Sequence, residues 1–231
     1  SELPDITPMT WKGPSIAGLQ GQHRPVPQGG EGISYLCRPF PPITHTMFFE
    51  LTEEQKAVQA AARDFAQNVL KPGVIDRDRE HKFPTEEIKQ LGELGFLGMM
   101  VDPKYGGGGM DTISYVLAME EISKIDASVS VCVSVNNSLV CYGLQDYGNE
   151  EQKQKYLLPL AQGKKDGELY IGAFLLSEPE AGSDATSQRT TAEDKGDHYL
   201  LNGTKNWITN GNSASAYLVI AQTDVSKGSR G

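Results

Sequence analysis

The stretch GELYIGAFLLSEPEAGSD, residues 167–184, separates two kinds of sequence pattern. Before it, apolar residues recur at steps of three and four, as in helices; after it they recur at steps of two, as in strands. Tyr170 to Ser177 is nearly all apolar and is predicted to be a strand buried on both faces. The sequence therefore predicts an α+β fold, with a helical domain at residues 47–168 and a β-domain at residues 169–231.

The upstream part predicts five helices, and most of them have a recognisable start. Thr52-Glu-Glu-Gln and Asn149-Glu-Glu-Gln are capping-box patterns, and Asp111 and Asp126 are candidate N-caps. The first helix is expected to stop at Pro72, and the second to begin near Pro84; the fourth runs to Leu144 and the fifth toward Pro159. The predicted apolar positions are Val58, Ala62, Phe65 and Val69 in the first helix, Ile88, Leu91 and Leu94 in the second, and Ile113, Val116, Leu117 and Ile122 in the third.

The downstream part predicts a sheet of four or five strands. Besides the buried strand, the predicted strands are Gln188 to Glu193, His198 to Leu201, Lys205 to Thr209 and Ala216 to Thr223. Asn202-Gly203 is a strong hairpin signal between two of them. A last apolar strand beside the end of the chain leaves an unpaired edge, which sheets normally cover. We therefore expect the chain to be the N-terminal portion of a longer protein.

Residues 1–46 differ in composition from the rest of the chain. They contain 8 of the 13 prolines and 6 of the 25 glycines, a content typical of segments that do not fold. They lack the apolar stretch of a secretory signal and the Arg-rich pattern of a transit peptide. We expect a disordered leader, with the ordered pattern opening at Met47.

Composition excludes several classes of function. The formal charge of −9 argues against partners with phosphate backbones and against anionic membrane surfaces, so neither nucleic acid nor a membrane is expected as a partner. The longest apolar run is too short to cross a bilayer. Three cysteines without a C-x-x-C spacing support neither a disulfide framework nor a structural zinc site, so no metal is expected. A reduced compartment fits best, either a bacterial cytoplasm, which is favoured, or a mitochondrial matrix.

Two segments of the β-part are candidates for binding chemistry. Leu176 to Asp184, LSEPEAGSD, places hydroxyls, small residues and successive backbone N–H groups in one turn, which can hold a diphosphate. Trp207 to Gly211, WITNG, places a flat indole beside a hydroxyl, which suits a planar ring. Taken singly, the first is more simply explained as an ordinary turn after a strand, and the second as a core tryptophan capped by a turn. The glycine run after Tyr105 lies between helices and lacks a nucleotide-binding spacing, so it is predicted to be a connection.

Six segments together carry a resemblance that covers about 185 residues from Met47 onward. They are MFFELTEEQ, LGELGFLGMMVDPKYGGGGMD, AMEEISKIDAS, SVNNSL, LLSEPEAGSDA and LNGTKNWITNG. In this order they resemble the acyl-CoA dehydrogenase family, especially its short-chain, butyryl-CoA type. The resemblance implies a helical N-terminal domain, the start of a β-barrel-like middle domain, and a C-terminal four-helix domain that these 231 residues do not include. Leu175 replaces a residue that is commonly small in the family.

The resemblance also implies a cofactor, FAD, and the residues that bind it. Ser177 would bond the pyrimidine edge of the flavin, Gly182 and Ser183 would lie near the diphosphate and the tail of the CoA ester, and Thr209 would reach toward N5. Ser183 is thus also the implied substrate-binding residue. The complete implied set of cofactor-binding residues is Phe174, Leu175, Leu176, Ser177, Glu178, Pro179, Gly182, Ser183, Trp207, Ile208 and Thr209.

The implied reaction is the dehydrogenation of a short-chain acyl-CoA to a trans-2-enoyl-CoA, as in fatty acid β-oxidation. The family's glutamate base lies in the C-terminal domain, so the catalytic base is expected beyond Gly231 and none of the 231 residues is nominated as catalytic. We therefore expect this chain to be inactive alone.

The implied partners are the acyl-CoA substrate, electron-transfer flavoprotein as electron acceptor, and further copies of the chain in a homotetramer. Three alternatives to a short-chain dehydrogenase remain open. They are an acyl-CoA oxidase, a longer-chain dehydrogenase, and a non-catalytic helical interaction fragment.

Overall fold

The computed structural model describes residues 50–231. The predicted leader at residues 1–46 and the predicted start at Met47 lie outside the described residues. Within them, a helical region comes first and a region of short strands follows. The α-helices are Glu53–Phe65 (α1), Val74–Glu80 (α2), Thr85–Glu93 (α3), Thr112–Ser123 (α4), Ala127–Ser134 (α5), Tyr142–Tyr147 (α6), Glu150–Gln152 (α7) and Leu158–Gln162 (α8).

The predicted helix starts are confirmed at the level of hydrogen bonds. Thr52 and Asn149 each form a complete capping box with the glutamine three residues later. Asp111 accepts from the backbone N–H of Ser114, and Asp126 accepts from that of Val129. These caps form because the side-chain oxygen satisfies backbone donors that the helix itself leaves unpaired.

The predicted stop at Pro72 is wrong. After α1 the chain continues through a π-helical segment, Ala66–Leu70, and a 3₁₀ turn, Lys71–Gly73, directly into α2. Proline is tolerated at the first positions of a helical turn, where its missing N–H is not needed, so Pro72 begins a turn instead of ending the helix. Two further π-helical segments join helices: Val135–Cys141 joins α5 to α6, and Lys153–Leu157 joins α7 to α8.

The helical region packs around two clusters of buried apolar side chains. The first cluster includes most of the predicted positions of α1 and α3, among them Ala62, Phe65, Ile88 and Leu91. The apolar positions predicted for α4 are only partly confirmed: Ile122 is buried, but Ile113 and Val116 are about half exposed. The buried residues of α4 are instead Ser114, Tyr115, Ala118, Glu121 and Ile122.

A chain of polar contacts joins α4 to α1, which explains the buried face of α4. The Glu121 carboxylate accepts from the Arg63 guanidinium at 2.9 and 3.1 Å, and Gln59 donates to it at 3.2 Å. The hydrogen bonds from Arg63, together with Lys124, lower the pKa of Glu121 to about 2 despite its burial. The charged residue Glu121 thus lies on the buried face of α4, where apolar residues are normally expected.

The strands form three separate pairs among the described residues. They are Lys164–Lys165 (β1) with Glu168–Leu169 (β2), Gly172–Leu175 (β3) with Ala216–Val219 (β6), and Thr191–Asp194 (β4) with Tyr199–Asn202 (β5). The β3–β6 pair is parallel, with Gly172 opposite Ala216 and Leu175 opposite Val219; the other two pairs are antiparallel. The prediction of one sheet with four or five strands is therefore wrong for this part of the chain, and β6 has a partner on one side.

The strand predicted for Tyr170 to Ser177 is shorter and less buried than expected. It covers Gly172–Leu175, and its two faces meet different surroundings. Phe174 packs against the second apolar cluster of the helical region, whereas Leu175 lines an open cleft. Both side chains are partly buried.

The hairpin predicted at Asn202-Gly203 is also wrong. The chain turns instead between β4 and β5, at Gly196, and residues 205–209 form no strand. Gly203 has a φ of +154°, and a Cβ atom there would lie 2.2 Å from the Thr190 hydroxyl oxygen. The glycine is needed because two backbones approach closely at this point, not because the chain reverses there.

One helical segment of the described part meets the length and composition of a membrane span. It is Ala127–Tyr147, with a mean hydropathy of 1.3, and half of the window is buried inside the protein. A core helix of a soluble protein meets the same test.

Candidate functional site

One of two adjacent buried asparagines, Asn136, sets the position of β3 against the helices. Asn136 and Asn137 lie on the π-helical segment after α5. The Asn136 amide donates to the carbonyls of Leu97 and Leu160 at 2.8 and 3.1 Å, and its oxygen accepts from the Gly172 N–H at 2.9 Å. Since a π-helical turn shifts side chains relative to a regular helix, it can aim such a group at a neighbouring element. The first residue of β3 is thereby fixed to the helical region.

The loop after β3 makes a tight turn at Pro179-Glu180. The N–H of Glu178 donates to the Ala181 carbonyl at 3.0 Å, and the N–H of Ala181 donates back to the Glu178 carbonyl at 3.2 Å. Among the described residues, no hydrogen bond uses the N–H groups of Gly182 or Ser183, which follow the turn and are exposed. These two successive donors are therefore available to bind an anion.

A buried ion pair lies directly beneath this loop. The Lys205 ammonium donates to a Glu178 carboxylate oxygen at 2.8 Å, to the Leu176 carbonyl at 2.9 Å and to the Gln188 side chain at 3.1 Å. The side chains of Glu178 and Lys205 are only 3% and 7% exposed. Burial alone raises the pKa of Glu178, but hydrogen bonds from Lys205, Thr190 and Arg189 outweigh it and lower the pKa to about 2.

The second candidate segment begins two residues after this lysine. Asn206, the residue directly before Trp207, donates its N–H to the Ser177 carbonyl at 2.9 Å, so the start of the second segment is held next to the first. Trp207 then adopts a φ of +58°, and its side chain is 95% exposed. A left-handed backbone is unusual for a bulky residue and costs on the order of 1–3 kcal/mol, and such positions cluster at ligand sites.

Asn210 fixes the end of this segment to two other elements. Its amide donates to the Gly172 carbonyl of β3 at 3.0 Å and to the Cys132 carbonyl of α5 at 3.2 Å. Asn210 is buried and has a φ of +64°, a conformation that asparagine adopts more readily than most residues. Trp207, Ile208 and Thr209 are thus held between two anchors, Lys205 and Asn210.

An open cleft of about 690 Å³ lies beside the second segment, and Leu175, directly before the first segment, also lines it. Leu175, Tyr217 and Val219 form one wall, and Trp207 and Ile208 are also in its lining. The cleft combines a flat apolar surface with polar backbone, as sites for planar ligands commonly do.

The sequence comparisons decide the family. Residues 52–164 match the profile described as "Acyl-CoA dehydrogenase, N-terminal domain", and residues 173–231 match that of the middle domain. The chain belongs to the acyl-CoA dehydrogenase family. The resemblance predicted from the six sequence segments is therefore confirmed, and so is the order of a helical region followed by a region of strands.

Curated relatives with similar sequences are named as members of this family. A short-chain specific acyl-CoA dehydrogenase of Clostridium acetobutylicum is 44% identical over 185 residues, covering 80% of this chain and 48% of the relative. A mitochondrial short-chain specific acyl-CoA dehydrogenase of Homo sapiens is 46% identical over 182 residues, covering 78% and 43%. The chain thus spans about half the length of the curated relatives it matches.

Solved structures share the fold. Butyryl-CoA dehydrogenase from Megasphaera elsdenii has 43% identity and a TM-score of 0.73, covering 79% of this chain and 47% of that one. A chain from work on the electron transferring flavoprotein of Acidaminococcus fermentans has 47% identity and a TM-score of 0.75, covering 79% and 47%. A glutaryl-CoA dehydrogenase from Mycobacterium smegmatis in complex with FADH2 has 40% identity and a TM-score of 0.70, covering 75% and 44%.

Of the eleven residues predicted to bind the cofactor in this acyl-CoA dehydrogenase chain, Leu176 and Gly182 are characterised by their carbonyl and N–H groups, and the other nine fall into three groups. Ser177, Ser183 and Thr209 have side-chain hydroxyls that no hydrogen bond within residues 50–231 uses. Leu175, Trp207 and Ile208 line the cleft, whereas Phe174 faces the helices. Glu178 is buried in the ion pair, and Pro179 is exposed at the tip of the turn. The hydroxyls, the free N–H groups and the exposed indole make a donor set that fits a flavin with its diphosphate.

The catalytic base was placed beyond Gly231, and that placement stays a prediction. Gly231 is the last residue of the sequence and has no side chain that could take up a proton. Its backbone only closes a terminal turn: its N–H donates to the Gly228 carbonyl at 3.0 Å, and its carbonyl accepts from the N–H and the hydroxyl of Thr223 at 2.9 and 3.0 Å.

Sequence reasoning missed the residues that hold the binding groups in place. Lys205 was assigned to a strand, and Asn136 and Asn210 were quoted within family segments without a role. A lysine amid polar residues gives no signal of burial, since lysine is rarely buried without a partner. For Asn136 the sequence contains a weak indication of a structural role. It lies in an otherwise apolar helical stretch, where a buried polar residue needs a specific hydrogen-bond partner.

Proposed function

We propose that the protein containing this chain is an FAD-dependent dehydrogenase that converts short-chain acyl-CoA thioesters to trans-2-enoyl-CoA products. The observation that carries the proposal is the set of hydrogen bonds from Lys205 and Asn206 to residues 176–178, because these two residues directly precede the segment at residues 207–209. The loop with its unused hydroxyls and backbone donors and the segment with the exposed indole of Trp207 are therefore tied together. The similarity to short-chain specific and butyryl-CoA enzymes supports the chain-length class.

In this proposal the chain's own residues bind and orient the cofactor. The N–H groups of Gly182 and Ser183 bind phosphate oxygens, since exposed successive amides favour an anion. The hydroxyls of Ser177 and Thr209 bond the polar edges of the ring, and Trp207 and Ile208 pack beside it. When bound, FAD supplies the chemistry by accepting the β-hydrogen of the substrate as a hydride.

The other half of the reaction requires a base for the α-proton, and the acidic residues of this site are unsuited to that task. Glu178 is locked in an ion pair and its pKa is lowered to about 2, far from the value a general base needs near neutral pH. Asp184 accepts from the hydroxyls of Thr186 and Ser187, and these hydrogen bonds lower its pKa. We therefore assign both carboxylates to the support of the loop. Ser183 is the residue proposed to contact the CoA ester.

Electron-transfer flavoprotein is the proposed acceptor of the electrons. Similarity to a chain from work on an electron transferring flavoprotein supports this, as does the family resemblance. We further propose a homotetramer as the active assembly. Relatives occur both in bacteria and among mitochondrial enzymes, so a bacterial cytoplasm and a mitochondrial matrix are both compatible locations.

The proposal is tested with the complete purified protein. Its visible absorbance should show bound flavin, and butyryl-CoA added without oxygen should bleach that absorbance, with octanoyl-CoA acting more slowly. Absence of flavin absorbance after FAD is supplied would favour the non-catalytic alternative. Faster bleaching by octanoyl-CoA would favour a longer-chain enzyme, and rapid hydrogen peroxide formation in air would favour an oxidase.

A further inference from the structure

The ion pair of Glu178 and Lys205 connects the two segments of the proposed flavin site. Lys205 lies two residues before Trp207, and its ammonium reaches back to the Leu176 carbonyl and the Glu178 carboxylate. The next residue, Asn206, donates its N–H to the Ser177 carbonyl. Three successive residues of the loop, 176 to 178, are therefore held by the two successive residues that directly precede the other segment.

Every side-chain nitrogen and oxygen of the pair has a hydrogen-bond partner. Lys205 uses its three ammonium donors on three acceptors, the third being Gln188. The Glu178 carboxylate accepts from the N–H of Arg189 at 2.5 Å and of Thr190 at 3.0 Å in addition to the lysine. A fully satisfied buried network has one geometry, because any displacement leaves a buried group unpaired. The pair is thus able to fix the distance between the two segments.

The turn is closed by the backbone of the same residue, Glu178. The backbone of Glu178 closes the Pro179-Glu180 turn with Ala181, and the side chain of the same residue is tied to Lys205. The turn delivers the free N–H groups of Gly182 and Ser183. A shift of Glu178 therefore moves these donors relative to Trp207 and Thr209.

We propose that Glu178 and Lys205 are a positioning pair, which sets the spacing between the diphosphate-binding loop and the ring-binding segment without touching the flavin. This inference rests on the proposed function and adds to it an assignment for two residues. It replaces the expectation that Glu178 contacts the cofactor. A groove can hold the two ends of one dinucleotide only if its two halves keep their separation.

The test uses the complete protein with three variants. Lys205→Met removes the ammonium and keeps the length of the side chain, and Glu178→Gln is a smaller change that guards against a failure to fold. The matched control is Arg77→Met, which breaks another buried ion pair: Arg77 binds Asp126 at 2.8 Å and Glu87 at 2.7 Å within the helical region. The measurements are the dissociation constant for FAD, the visible spectrum and the reduction potential of the bound flavin, and the thermal midpoint.

We expect Lys205→Met to raise the FAD dissociation constant by about tenfold or more, the size of effect that removing a supporting residue commonly has. Glu178→Gln should act in the same direction and alter the flavin spectrum and potential. Arg77→Met should lower the thermal midpoint and leave FAD binding within about twofold of the wild type.

A lowered midpoint in all three variants, with FAD binding, spectrum and potential unchanged, would overturn the inference and reduce the pair to a stabilising contact. If the wild-type protein itself fails to bind FAD, the proposed function is wrong and the inference falls with it. The wild-type control therefore separates the two failures.

Discussion

The helical region and the strand region of this chain are held together in different ways. In the helical region, large apolar side chains such as Leu97, Ile122 and Leu157 are completely buried in two clusters. In the strand region, the buried apolar residues are mostly small, for example Ala173, Ala181 and Ala192. The loops there are held in position by hydrogen bonds of Glu178, Lys205 and Asn210. Apolar packing therefore stabilises the helical region, and buried polar contacts position the candidate site in the strand region.

Asn136 forms hydrogen bonds to both regions, so we expect its substitution to have the largest effect on the free energy of unfolding. Asn136→Leu keeps the branched shape of the side chain but leaves the Leu97 and Leu160 carbonyls and the Gly172 N–H without this partner. We expect the free energy of unfolding to fall by about 3 kcal/mol or more, measured by urea denaturation. Hydrogen exchange should accelerate in β3 as well as in the helices.

The control for this variant lies on the same π-helical segment. Ser138 donates only to the Ser134 carbonyl, one turn away. Ser138→Ala should cost less than about 1 kcal/mol. If Asn136→Leu were equally mild, apolar packing alone would hold β3 in place, and the contrast between the regions would disappear.

Gly203 tests the strand region by itself. Gly203→Ala places a Cβ atom 2.2 Å from the Thr190 hydroxyl oxygen, and the φ of +154° is also unfavourable for alanine. We expect a loss of about 1–3 kcal/mol in the free energy of unfolding, with faster hydrogen exchange confined to β4, β5 and the loop after them.

Gly196→Ala is the matched change, since φ is +97° there but no atom lies within 4 Å of the added Cβ. Gly196→Ala therefore has the energetic cost of alanine at a positive φ, but no steric clash of the added Cβ atom. Equal losses for the two variants would show that the contact with Thr190 plays no part.

Low pH should reduce the stability of both regions, through Glu121 in the helical region and Glu178 in the strand region. The pKa values of Glu121 and Glu178 are lowered from 4.5 to about 2 in the folded protein. A lowered pKa contributes stability above the unfolded value, so this contribution is complete above about pH 4.5 and is lost as the pH falls toward 2. Denaturation at pH 7, 4 and 3 should show it.

The two carboxylates can be separated by substitution. Glu121→Gln should flatten the acid response of hydrogen exchange in the helical region only, and Glu178→Gln that in the strand region only. An unchanged acid response in both variants would mean that other carboxylates govern it.

The smallest effect is expected at the surface of the β4–β5 hairpin. Lys195 pairs with Glu193, and both side chains are substantially exposed. Lys195→Ala should change the free energy of unfolding by less than about 0.5 kcal/mol, because an exposed ion pair is weak and screened. A loss above about 1 kcal/mol would show that polar contacts in the strand region matter even without burial.

The same contrast explains what the sequence could predict. Helix starts at Thr52, Asp111, Asp126 and Asn149 were correct because a cap is made by residues three positions apart. The hairpin at Asn202-Gly203 was wrong because the conformation of Gly203 is set by Thr190, a contact that no local pattern reveals.

For the candidate site, the two segments and their types of binding group were predicted from family resemblance and residue chemistry. Their hydrogen-bonded pairing and the roles of Lys205 and Asn210 were not predicted. These depend on which buried acceptors lie nearby, and that follows only from the tertiary fold.

The central claim is that residues 176–183 and 207–209 together bind a flavin, and Thr209 tests it most directly. Within residues 50–231 no hydrogen bond uses its hydroxyl, so Thr209→Val should leave the thermal midpoint of the complete protein nearly unchanged. The measurement is stopped-flow bleaching of the bound flavin by butyryl-CoA. The account predicts bleaching slowed by about tenfold or more, because a donor to the reacting ring is lost. Bleaching at the wild-type rate with a lowered midpoint would contradict it and return Thr209 to a purely structural role.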